Sequence, residues 1–241
     1  MAPPTDTDLL KALEDPALRK LAMDFLRDSA KYGYTYNFKW LGRPVIQTPQ
    51  DIVAIQELVW EVKPDLVVET GIAHGGSLIL SASILELIGG EGRVVGVDID
   101  IHEPNRKAIE AHRMAPRIHM IEGSSTDPEV VAQVRAFAPP GTRTLVILDS
   151  NHTHEHVLAE LRAYAPLVGA GSYLLVMDST IEDMPQDLYP DRPWGKGNNP
   201  KTALFAFLEE CDRFEIARDI EARLLITVAS DGYLRCVKDP Q

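Results

Sequence analysis

The run Val67-Val68-Glu69-Thr70-Gly71-Ile72-Ala73-His74-Gly75-Gly76-Ser77, answered by Val94-Val95-Gly96-Val97-Asp98, constrains the fold of this chain more than any other feature. An apolar run closing on an acid, a glycine-rich turn, a helical span and a second apolar run closing on an acid describe a βαβ unit that binds a nucleoside. Glycine lets the backbone approach a ligand where a Cβ would collide. Asp98, at the end of the second strand, can accept hydrogen bonds from two ribose hydroxyls. The dinucleotide fingerprint G-x-G-x-x-G is not met, because Gly71 is followed by Gly75 and Gly76, and no G-x-x-x-x-G-K-[ST] phosphate loop occurs.

Beyond this unit the chain alternates strand and helix. Strands are expected over 66–69, 93–98, 118–122, 144–149 and 172–178, with helices over 77–87, 104–111, 128–137 and 154–165. Apolar strands that lack a polar face signal a parallel sheet covered on both sides. Ligands of such sheets gather at the carboxyl ends of the strands, where Glu69, Asp98, Asp149 and Asp178 all stand. After a helix over 201–209, the spans 214–218, 224–229 and 233–237 read as closing strands, the last two joined by a tight Asp231-Gly232 turn. The expected architecture is α/β: a Rossmann-like, doubly wound seven-stranded sheet, mostly parallel with an antiparallel end, and an N-terminal helical arm. The arm and an aromatic segment fill 1–47, and the ligand-binding domain fills 48–241.

Within the arm, a helical period over 8–30 breaks once near Pro16. Tyr32, Tyr34, Tyr36, Phe38 and Trp40 then occupy alternate positions, as in an extended segment, which would serve either as core or lid packing or as an aromatic wall beside a substrate. Thr48 and Pro49 cap the next helix. The stretch 189–200, rich in Pro, Gly and Asn and without periodicity, is a candidate active-site loop.

A chain of 241 residues, 45% hydrophobic, suits one α/β domain with a short appendage. A formal net charge of −12, with no Lys/Arg run, argues against a nucleic-acid partner and for a small-molecule substrate. Cys211 and Cys236 form no C-x-x-C pair and suit a reducing, cytoplasmic setting. No stretch approaches 18 apolar residues, so no membrane partner is expected. Surplus apolar faces on the N-terminal helices point to a homo-oligomer.

The chemistry concentrates in Leu148-Asp149-Ser150-Asn151-His152 and in Asp178. Asp149 and Asp178 end neighbouring strands, so their carboxylates should face each other and hold a hard divalent cation such as Mg²⁺. His152 is then placed as general base for a substrate hydroxyl. Three histidines at 152, 154 and 156 also spell a zinc-like string, but on a helix only His152 and His156 share a face, so His154 and His156 are expected as solvated helix residues. His74 serves either loop packing or ligand contact, and Asp178 is either a metal ligand or a cap.

With Glu69 ahead of the first glycine, the turn resembles the first motif of S-adenosylmethionine (SAM) methyltransferases, whose ligand has no phosphate to cradle. More narrowly, Val-Val-Glu-Thr-Gly-Ile-Ala-His-Gly-Gly-Ser, Leu-Asp-Ser-Asn-His-Thr-His and Gly-Asn-Asn-Pro-Lys-Thr-Ala resemble the cephalosporin hydroxylase and rhamnosyl O-methyltransferase family. The resemblance implies a SAM-dependent O-methyltransferase that tailors a natural product, as in antibiotic biosynthesis, or a polysaccharide with Mg²⁺ assistance. It implies Glu69, Gly71 and Ser77 in the SAM pocket, where His74 is the open candidate for a further contact, Asp98 on the ribose, Ser124 and Ser125 beside the adenine, Asp149 on the metal and His152 as base. No two-His-one-carboxylate iron triad is evident, which sets the hydroxylase name aside. Where the family commonly has Glu-Asp after the fifth strand, this chain has Met177-Asp178; Glu182 and Asp183 are the nearest substitutes. Two other readings stay open: a nucleotide-dependent oxidoreductase, and a methyltransferase-like protein without catalysis.

Overall fold

The computed structural model describes residues 6–240. Helices α1 (Asp6–Glu14) and α2 (Pro16–Ala30) meet at Asp15, whose carboxylate accepts from the backbone N–H of Ala17 (2.8 Å) and Leu18 (3.3 Å). Pro16 cannot donate to a preceding turn, but its fixed φ fits the first position of a new helix, which is why the period breaks there.

The aromatic segment departs from the extended run that its alternation predicts. Gly33 takes a left-handed conformation (φ +60°) and Tyr34–Asn37 form a 3₁₀ turn, closed by Asn37 Nδ2 donating to the Gly33 and Tyr34 carbonyls. Only β1 (Phe38–Trp40) is extended, paired antiparallel with β2 (Arg43–Val45). A flexible glycine and an asparagine that bonds its own backbone favour the turn over the strand. Tyr34 packs edge-on between Phe25 and Phe38, while Tyr32 and Tyr36 stay exposed.

Helix α3 (Pro49–Val62) leads into a sheet of β3 (Leu66–Thr70), β4 (Arg93–Asp98), β5 (Ile118–Glu122), β6 (Thr144–Leu148), β7 (Tyr173–Val176), β8 (Phe214–Ile216) and β9 (Tyr233–Cys236). Their spatial order is β5-β4-β3-β6-β7-β9-β8, the first five parallel and β9 antiparallel to both its neighbours. The crossovers are α4 (Gly76–Ile88), α5 (Glu103–Glu110), α6 (Pro128–Ala136), α7 (His154–Tyr164) and α8 (Pro200–Glu210). Along β3, Val67 packs with Ile55, Leu58 and Leu78 on one face, and Val68 with Val134, Leu161 and Tyr164 on the other. Side chains alternate faces along a strand, so burial on both sides demands the unbroken apolar runs seen in the sequence. The chain winds from β3 through β4 to β5 on one side and from β6 to β7 on the other. Successive loops therefore part between β3 and β6 and open a crevice at the carboxyl ends.

The expected strand over 224–229 does not form. Helix α9 (Arg218–Leu224) occupies its start, and Leu225 turns left-handed (φ +59°). The remainder is claimed by a buried carboxylate: Asp51 accepts from the hydroxyls of Thr48, Thr227 and Tyr233 and from Val228 N–H (3.0 Å). Satisfying that acid outweighs strand propensity in Ile226 to Ala229. Among the described residues no helix is long and apolar enough to cross a membrane.

Candidate active site

The turn after β3 is held from several sides. Gly71 sits at φ +91°, and a Cβ there would fall 2.0 Å from the Asp149 carbonyl oxygen, so β3 and β6 can close at their tips only with glycine at this position. A Cβ on Gly76 would fall 2.1 Å from the Pro44 carbonyl oxygen, which lets the β1–β2 hairpin seat directly on the start of α4. Trp40 Nε1 donates to Ser83 Oγ (2.9 Å), and Arg43 binds both the His74 carbonyl and Asn105 Oδ1. Asp98 Oδ2 accepts from Ile72 N–H (2.7 Å) and Ala73 N–H (3.2 Å), which leaves the carboxylate lone pairs for further donors.

Glu69 lies beneath this turn, 1% exposed, with the Ser77 hydroxyl donating to it. Burial pushes its carboxyl up to about 8, partly offset by that bond, so the free protein holds it mostly protonated at neutral pH.

The other half of the site joins the ends of β6 and β7. Met177 N–H continues the ladder to the Leu148 carbonyl (3.0 Å), and its side chain is buried in the core, so no acid can project from that position into the cleft. Asp178 then adopts a left-handed backbone (φ +53°), uncommon for a non-glycine residue, and the following 3₁₀ turn is pinned by Ser179 Oγ on the Ser230 carbonyl (2.6 Å). One ligand atom each from Asp149, His152 and Asp178 lies within 4.8 Å of the others, and His152 Nε2 stands 3.3 Å from Asp178 Oδ2. The Asp149 carboxyl is held well above the usual carboxylate range, first by burial and then by the adjacent charge of Asp178. Trp194 meets the His152 ring edge-on (5.2 Å, 87°) and packs against Tyr189 (4.7 Å).

Glu182 and Asp183 do not substitute for the missing acid. Glu182 accepts from Gly197 N–H (2.7 Å) and the Asn199 amide, and Asp183 pairs with buried Lys201, so both anchor the 189–200 loop and the start of α8. His154 and His156 are not merely solvated: His154 Nδ1 lies 2.9 Å from Thr202 Oγ1, and His156 Nε2 lies 3.0 Å from Ser125 Oγ and 3.5 Å from buried Glu160. The histidine string therefore diverges, and of the three only His152 joins Asp149 and Asp178.

A single cleft of about 950 Å³ gathers Gly71, His74, Ser77, Asp98, Ser124, Ser125, Asp149, His152 and Asp178. Of the residues assigned from the sequence to the SAM pocket and the metal, Glu69 alone stays below its surface. Tyr34, Tyr36, Tyr189 and Trp194 wall the cleft, so both aromatic stretches face it. Gln47 is a residue that sequence reasoning missed: it lines the cleft and donates through Nε2 to Asp149 Oδ2 (3.0 Å). The Ser125–His156–Glu160 network was missed as well. Nothing local in Ile46-Gln47-Thr48 marks a residue whose partner is a hundred positions away.

The family model described as Rhamnosyl O-methyltransferase/CmcI matches residues 32–237. The chain belongs to this family. The chain is 35% identical over 199 residues to the rhamnosyl O-methyltransferase of Mycobacterium tuberculosis (strain ATCC 25618 / H37Rv), covering 81% of this chain and 76% of the relative. The corresponding Mycobacterium leprae protein is 33% identical over 200 residues, covering 81% of each. Among solved structures, CmcI in its apo form superposes with a TM-score of 0.57 at 21% identity, and CmcI with Mg and SAM with 0.55 at 21%; each match covers 84% of this chain and 77% of the other. The rhamnosyl O-methyltransferase/CmcI family thus matches the enzyme class expected from the sequence, a SAM-dependent O-methyltransferase, and the doubly wound fold agrees with it.

Proposed function

We propose that this enzyme methylates a hydroxyl of a sugar or secondary metabolite, with SAM in the cleft, Asp149 and Asp178 as ligands of a divalent cation and His152 as general base. The convergence of these three side chains beside the glycine turn carries the reading. The residues present suit both groups. Asp98 retains acceptor capacity for a ribose, Ser124 and Ser125 line the same edge at β5, and a cleft of about 950 Å³ has room for an adenosyl group and an acceptor together. An Asp178 carboxylate close enough to raise the proton affinity of Asp149 invites a hard cation between them, and the oxygen preference of Mg²⁺ leaves the imidazole available. A bound Mg²⁺ would supply Lewis acidity toward an alcohol oxygen. That the solved CmcI complex contains Mg and SAM supports the pairing.

His152 removes the hydroxyl proton as the new C–O bond forms and the sulfonium C–S bond breaks, giving a methyl ether, S-adenosylhomocysteine (SAH) and an imidazolium. Asp178, 3.3 Å from Nε2, stabilises that imidazolium, and Trp194 fixes the ring plane. Trp194 and Tyr189 offer flat faces on which the C–H side of a sugar ring can pack, in keeping with the rhamnosyl substrates named for the relatives. We further place the enzyme in a reducing cytoplasm, supported by free Cys211 and Cys236, and as a homo-oligomer, supported by exposed Leu21, Phe25 and Tyr32 on the arm.

The test is incubation with SAM, Mg²⁺ and a panel of deoxyhexosides and hydroxylated metabolites, followed by mass spectrometry. A product one methyl heavier, formed in step with SAH and suppressed by EDTA, is expected. SAM binding with no methylated product across sugars and metabolites, or a yield indifferent to EDTA, would overturn the acceptor class or the metal assignment respectively.

A further inference from the structure

Gln47 combines two properties that a packing residue would not need. It is 3% exposed, and while Nε2 donates to Asp149 Oδ2, its carbonyl oxygen Oε1 finds no hydrogen-bond partner among the described residues. A buried amide oxygen without a donor is costly, and one in the lining of a ligand cleft is most simply explained by a donor that arrives with the ligand. The amide is oriented with Nε2 on Asp149 Oδ2, which leaves Oε1 as the group without a partner.

The sheet order says which part of the ligand arrives there. Asp98 ends β4, Gly71 follows β3 and Asp149 follows β6, three adjacent strands in that order. A cofactor with its ribose on Asp98 and its adenine toward β5 must extend its other end across Gly71 toward Asp149, and so toward Gln47. In SAM that end carries an α-ammonium, a cation with three N–H donors and no acceptor.

Resting on the SAM reading above, we propose that Gln47 forms the ammonium subsite of the cofactor pocket: Oε1 accepts from the α-ammonium while Nε2 fixes Asp149 beside it. The amide thereby links the cofactor's amino-acid end to the carboxylate that serves the reaction.

Isothermal titration of the purified enzyme, in EDTA, with SAH and with 5′-methylthioadenosine tests this, because the second ligand keeps the adenosine and thioether but lacks the amino-acid arm. Gln47→Leu should weaken SAH by roughly tenfold or more, the loss typical of a hydrogen bond to a charged group, and leave 5′-methylthioadenosine within about twofold. Gln47→Asn, which keeps the amide on a shorter arm, should recover part of the SAH affinity. Equal weakening of both ligands would make Gln47 a structural residue and overturn the proposal. Unchanged SAH binding would leave the amide no part in holding the amino-acid arm and would also overturn it. If the unmutated enzyme binds neither ligand, the cofactor reading itself falls and takes the subsite with it.

Discussion

The two halves of the cleft are built in opposite ways. The turn after β3, with Gly71, His74, Gly75, Gly76 and Asp98, comes from about thirty consecutive residues, and its polar groups are largely satisfied: Asp98 is bonded to Ile72 and Ala73, and Arg43 holds His74 from outside. The reaction half takes Gln47, Asp149, His152, Asp178 and Trp194 from four distant stretches, and it is left under tension. Asp149 and Asp178 repel, Asp178 sits in a left-handed backbone, and Gln47 keeps an unpaired oxygen. A half that only binds can be locally complete, whereas a half that must meet a cation, a methyl donor and a hydroxyl keeps unsatisfied groups until they arrive.

The comparison breaks first at the reaction half. His152→Ala should lower kcat by roughly 10²- to 10⁴-fold while the cofactor affinity, measured by titration, stays nearly constant, since loss of the proposed general base acts on the transition state. An equal loss in binding would show the halves to be one unit. Next, Gly71→Ala forces a Cβ to 2.0 Å from the Asp149 carbonyl at φ +91° and should destabilise the fold by about 2–4 kcal/mol in urea unfolding, disturbing both halves at once. A variant as stable as the parent would mean the strand tips can part.

Glu69, a buried acid with an unpaired Oε2 beneath the otherwise bonded turn, tests the contrast through pH. Its folded pKa of about 8 lies above the 4.5 of a solvated glutamate, so the folded chain keeps a proton that the unfolded chain has lost between those values. Stability of the ligand-free protein should therefore fall as pH rises through that window, with this one group contributing up to about 1.4 kcal/mol per unit, and level off above it. Glu69→Gln should flatten the profile; an unchanged slope would mean that the carboxyl is ionised in the fold. The smallest effect is expected at the hairpin, where Trp40→Phe removes the bond to Ser83 Oγ and should cost about 1 kcal/mol, with cofactor affinity little changed.

What could be read in the sequence follows the same division. The unbroken apolar strands, the glycines and the acids at strand ends gave the sheet and its crevice, because period, steric freedom and strand polarity are local properties, while residues such as Ser77, Ser124 and Ser125 were pointed to by the family resemblance. Local signals misread two places. The aromatic alternation at 32–40 yielded to a glycine and an asparagine turn, and the apolar run at 224–229 yielded to the buried carboxylate of Asp51, a partner far away in sequence.

By itself, then, the sequence determined the doubly wound frame, the glycine turn and the two residues Asp149 and His152 that the fold brings together with Asp178 in the cleft. Tertiary structure decided that Glu69 lies under the cleft, that Met177 turns into the core, that Glu182 and Asp183 anchor a loop, and that Gln47 reaches Asp149. The physical reason is that a side chain's direction and partner at the end of a strand depend on which distant backbone closes over it, and no local pattern records that.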